Sequence, residues 1–141
     1  MMQKYKSKIL KVNGYERQLV IESSQLKPIN VYYQAYEWAD TINEVSSKEK
    51  NEIIGEISIC FVNNYEVVES GAGFEQPIEK SSHVKAFAKA IEIIDSSTLL
   101  CEIEGLPKPI KIEDINLKVY ADKSILGKII KLSGEIKIET E

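Results

Sequence analysis

A single histidine and two cysteines leave this chain of 141 residues little of the material from which catalytic and metal centres are made. His83 stands beside Ser81 and Ser82, a polar setting that reads as a solvated or capping residue rather than a catalytic base. Cys60 and Cys101 lie far apart in apolar runs, without a neighbouring Cys or His, and read as reduced core thiols; a disulfide requires their strands to adjoin. Metal binding would fall to carboxylates such as Glu102 and Glu104, which read as the wet side of a strand. Neither a catalytic residue, a metal ligand nor a cofactor site is assigned, and an enzyme is not expected.

Other absences narrow the class further. There is no Gly-x-Ser-x-Gly, and Gly71-Ala72-Gly73 lacks the third glycine and the lysine of a phosphate-cradling loop. No run of eighteen apolar residues argues for a membrane-spanning helix, and no amino-terminal apolar segment resembles a signal peptide. A cytoplasmic protein is expected. Positive charge is also in deficit: 18 basic residues face 22 acidic ones, and a net charge of -4 weighs against a nucleic-acid surface and suits a basic partner.

What is present is ordinary globular composition, 43% apolar and 28% charged, which predicts one compact domain over residues 1–141. Strand signals dominate. Asn13-Gly14 joins two alternating runs as a hairpin turn, and 56–62 alternates into a second turn at Asn63-Asn64. The run 83–94 reads as a strand leading through Asp95-Ser96-Ser97 to a strand pair over 98–112. The stretch 127–139 reads as one long strand bent at Ser133-Gly134. Val31, Ala35, Trp38, Ile42 and Val45 recur at helical spacing and predict one principal helix over 33–46. The fold expected is mainly β (α+β), a small barrel or a two-sheet sandwich with that helix.

Three echoes run in the same order through both halves. Leu26-Lys27-Pro28-Ile29 is matched by Leu106-Pro107-Lys108-Pro109-Ile110, Ala39-Asp40 by Ala121-Asp122, and Gly55-Glu56-Ile57 by Gly134-Glu135-Ile136. Either 5–62 and 83–139 are duplicated β units joined across the loop 70–82, or strands built from Ile, Lys and Glu have converged. Duplication requires the Pro28 and Pro109 strands to be equivalent.

Binding residues are sought where aromatic groups meet irregular chain. Tyr32, Tyr33 and Tyr36 lie off the expected helical stripe, whereas Trp38 lies on it and reads as core. The loop 70–82 contributes Gly71, Gly73 and Phe74. The function expected is a non-enzymatic protein-binding module, an acidic inhibitor or immunity-type protein that covers a basic partner. The alternative is a barrel of the oligonucleotide-binding kind that takes single-stranded nucleic acid, with Lys4, Lys6, Lys8 and Lys11 around Tyr5 as its basic face.

Overall fold

A computed structural model of the chain describes residues 4–13, 18–34, 52–78, 80–115 and 125–139. They form nine strands: β1 Lys4–Asn13, β2 Gln18–Ser23, β3 Leu26–Gln34, β4 Glu52–Val68, β5 Phe74–Glu75, β6 His83–Asp95, β7 Thr98–Glu102, β8 Ile110–Ile112 and β9 Ile129–Glu139. Period-two patterning explains them. In β6, Val84, Ala86, Ala88 and Ala90 are buried while Lys85 and Lys89 face water. At the β6–β7 turn the Ser97 N–H donates to Asp95 Oδ1 at 2.9 Å, a bond that also holds the Asp95 carboxyl below its ordinary value.

All nine strands join one sheet in the order β1-β2-β3-β9-β4-β8-β7-β6-β5, with further pairings β1–β4 and β9–β6 that coil it back on itself. The pairings trace two circuits, β1-β2-β3-β9-β4 and β6-β7-β8-β4-β9, which share the two long strands. Each circuit has a parallel seam, β3 with β9 and β8 with β4, and these seams hold only three and two residue pairs. The registers correspond half to half. Tyr5↔Gly55 has its counterpart in Val84↔Gly134, and Ile29↔Ile21 in Ile110↔Cys101, which places the strand of Pro28 opposite that preceded by Pro109. Ile57↔Ile138 and Ile59↔Ile136 exchange with one another, so the local twofold passes through the pair Ser58↔Lys137.

One buried cluster runs through both circuits and includes Ile57, Ile59, Ile136 and Ile138 of the shared strands. Side-chain contacts also tie the halves. The Tyr5 hydroxyl donates to the Lys108 carbonyl and accepts from the Lys108 N–H at 3.1 Å. The Gln76 side chain grips Asn30 like a strand backbone, accepting its N–H at 2.9 Å and donating to its carbonyl at 2.7 Å.

Three expectations require correction. Among the described residues there is no helix: Val31 and Tyr33 continue the alternation of Ile29 along β3, where β-branched and aromatic residues fit the pleat, and period two prevails over the helical spacing begun at Val31. The remainder of that expected helix, with Tyr36 and Trp38, lies outside the described residues. Neither a small closed barrel nor a two-sheet sandwich describes a single nine-stranded sheet whose circuits meet at such short parallel seams. Asn63-Asn64 is not a hairpin turn; β4 runs through it, and the register against β9 slips between Cys60 and Asn64 instead.

Candidate functional site

The outward face of the central strands is polar and crowded. Alternation turns Glu56, Ser58 and Cys60 of β4 away from the core, directly opposite Glu139, Lys137 and Glu135 of β9. Ser58 also faces Lys111 of β8, and Lys137 faces Tyr32 of β3, so four strands present one row at the twofold. Lys137 is the pivot. Its Nζ lies 2.9 Å from Glu113, just past β8, and 3.7 Å from Glu139, so its stem crosses β4 with only 9% of the side chain exposed. Lys111 meets Glu56 at 2.8 Å. Burial opposes the charge on Lys137, but the Glu113 hydrogen bond and the surrounding acids more than offset it and leave the ammonium above its ordinary value. The carboxylates of Glu56, Glu113, Asp114, Glu135 and Glu139 stand around the two ammonium groups of Lys111 and Lys137.

Cys60 sits among Lys137, Glu113, Glu135 and Asp114. Burial first, then the three carboxylates, push its thiol up to about 11 against the opposing pull of Lys137. A thiol so raised is neutral and a poor nucleophile at pH 7. Glu135 in turn accepts the hydroxyl of the fully buried Ser82 at 3.1 Å.

Phe61 follows Cys60 in the bulge and is 63% exposed, the most exposed of the large apolar residues described. Its backbone is left-handed, with φ of 50°, and its N–H donates to the Asp114 carboxylate at 2.8 Å; Asp114 is itself left-handed, with φ of 65°. A side chain in this region costs roughly 1–2 kcal/mol. The Glu113 N–H donates to the Ile59 carbonyl at 2.8 Å and anchors the Asp114 arm. The molecule thus holds a phenyl ring in solvent, on a strained backbone, beside the carboxylates around Lys137.

The residues singled out from sequence fall differently. Tyr33 is core, at 1% exposure, while Tyr32 is half-buried beside Lys137. Gly71, Gly73 and Phe74 come together in a strap across β6. The Phe87 N–H donates to the Gly73 carbonyl at 3.0 Å, Phe74 pairs with Ala86, and a Cβ on Gly71 would sit 2.1 Å from the Phe87 ring. Hollows of about 470 and 640 Å³ flank this strap. Their charged residues are balanced, Lys89 and Lys108 with Glu102 and Glu104 on one side, Lys85 and Lys131 with Glu66 and Glu75 on the other.

Sequence reasoning missed Phe61 and Asp114. Phe61 continues the alternation of Ile57 and Ile59 and reads as core until the register slip turns it outward; the Asn63-Asn64 pair was the available signal of irregular backbone. Glu113-Asp114 resembles any surface acidic pair. Among the described residues no three His, Cys, Asp or Glu converge to hold a metal ion, and no helix is long and apolar enough to cross a membrane. No family model, curated protein or solved structure matches the chain.

Proposed function

We propose that this protein is a binding module whose acidic central face, headed by Phe61, takes the basic surface of another protein. The observation that carries this reading is the ring of Phe61, kept in solvent by strained backbone and the Asp114 carboxylate beside Glu113, Glu135 and Glu139. An aromatic anchor supplies contact area at the centre of an interface, and surrounding charge supplies encounter rate and partner choice. An inhibitor or immunity-type role in the cytoplasm is the biological form of this proposal.

The nucleic-acid reading fares worse on the same residues. Tyr5, needed for base stacking, is 3% exposed with its hydroxyl committed to Lys108, and the hollows beside Phe87 balance lysines with glutamates.

Phe61→Gly separates function from folding. Glycine relieves the left-handed strain, so thermal stability is expected to hold or to rise by about 1 kcal/mol. Partner capture from lysate is expected to recover basic proteins with the natural chain and to lose them with the variant and at high salt. Equal recovery by both chains overturns the assignment to Phe61, and a low-salt gel shift with single-stranded DNA would favour the alternative.

A further inference from the structure

We infer that the hollow of about 470 Å³ beside the strap binds a small zwitterion with an apolar body, of the chemistry of a free aliphatic amino acid. It lies where β7 leaves β6 and the strap joins it. Lys89 of β6 still faces Glu102 at the end of β7, while Ala86 already faces Phe74 of β5. Between them the Phe87 N–H donates to the Gly73 carbonyl at 3.0 Å and fixes the strap as one wall. The turn that follows β7 is the other wall. Strap and turn meet where Phe74 lies against Gly105, so closely that a Cβ on this glycine would stand 3.0 Å from the ring. Phe61 does not line this hollow, which is therefore a second site.

The lining combines two chemistries. Phe87, Leu106, Pro109 and Ile129 are half-buried there and supply apolar surface that a ligand can still cover. Glu102 and Glu104 are exposed on either side of the buried Ile103, so both carboxylates turn outward. Lys89 is exposed beside them, and among the described residues these three form no ion pair with one another. Lys108 completes the set, its ammonium 5.8 Å from the centre of the Tyr5 ring. Two ammonium groups against two carboxylates favour neither a simple anion nor a simple cation. A ligand that carries both charges answers both signs, its ammonium toward Glu102 and Glu104 and its carboxylate toward Lys89. The volume falls within the range of about 300–1,000 Å³ usual for small-molecule sites. The larger hollow across the strap is built differently: its charges all face one another in register, Glu66 with Lys131 and Glu75 with Lys85, and Asn64 and Ser133 add polar lining. In the smaller one Glu104 lies beyond the end of β7 and has no such opposite number.

The test titrates the full-length chain, labelled with ¹⁵N, with L-leucine. Amide signals of Ala72, Phe87, Lys89 and Leu106 are expected to shift together and to saturate with a Kd of about 1 mM. N-acetyl-leucine lacks the ammonium, leucinamide lacks the carboxylate and glycine lacks the apolar body. Each is expected to bind more weakly by about tenfold or more. Glu104→Gln and Lys89→Met change exposed side chains, so both variants are expected to keep the melting temperature of the natural chain and to weaken L-leucine about tenfold. Binding of N-acetyl-leucine or leucinamide as tight as that of L-leucine overturns recognition of a zwitterion. A saturable response that neither variant reduces overturns the placement in this hollow, and absence of a saturable shift overturns the inference.

Discussion

Gly134→Val is expected to be the most damaging single substitution among the described residues, lowering stability by about 3 kcal/mol or more and the melting temperature by roughly 10 °C. A Cβ at Gly134 would lie 2.7 Å from the Cys60 carbonyl oxygen, 3.0 Å from Ile59 Cγ2 and 3.4 Å from Val62 Cα. The first of these is backbone at the register slip of β4, where the chain also carries the Asp114 clasp, so relief by a rotamer change is not available. The same geometry recurs across the twofold: a Cβ at Gly55 would meet the Glu139 carbonyl oxygen and Ile138 Cγ1, both at 2.8 Å. Alanine at either glycine should therefore cost a similar amount, about 1–3 kcal/mol, measured by urea unfolding. A loss below about 0.5 kcal/mol at Gly134, or a cost at one glycine several times that at the other, would show that the crossing of β4 and β9 is looser or less symmetric than described.

These two glycines also mark how far the sequence discloses the fold. Gly55-Glu56-Ile57 and Gly134-Glu135-Ile136 are legible as an echo because each packs its glycine against the other's strand, and the backbone tolerates no side chain there. The long strands, the strand character of 83–94 and the turn at Asp95 are equally legible, since alternation and turn chemistry are local properties. The exchange of partners is not. Pairing β3 with β9 and β8 with β4 joins residues distant in sequence, and no residue at the seams, Tyr32, Tyr33, Lys111 or Ile112, carries a mark of its neighbour. The candidate site was hidden for a related reason. Lys137 reads as the wet residue between Ile136 and Ile138, yet it lies buried across β4 because Glu113, from a different strand pair, receives it. Phe61 reads as core because alternation predicts a face only while the register is unbroken. Folding separates what the sequence groups together, sending Tyr33 into the core and leaving Tyr32 outside.

Stability is expected to fall steeply between pH 9 and pH 12, and Cys101 is expected to account for much of the slope. Burial pushes the Cys101 thiol from 9.0 up to about 12, the residue being wholly inaccessible in β7 opposite Ala90. Burial likewise takes Cys60 to about 11 and Tyr5 from 10.0 to about 12, the latter against the opposing effect of the Lys108 backbone bond. Each of these acids is neutral when folded and ionises more readily when unfolded. Its contribution is therefore complete below its unfolded value and is lost as pH rises through its folded value. Lys137, also raised, acts with the same sign, since its ammonium is retained longer in the folded state. Each unit is worth about 1.4 kcal/mol, so Cys101 alone removes about 4 kcal/mol by pH 12, a large share of the 5–15 kcal/mol typical of a domain. Urea unfolding at pH 8, 9, 10 and 11 measures the slope. Cys101→Ala should cost about 1–2 kcal/mol at pH 8 through lost packing, and should fall less steeply than the natural chain above pH 9. Parallel slopes for the two chains would show that the thiol ionises without unfolding, and that the core around Cys101 admits water.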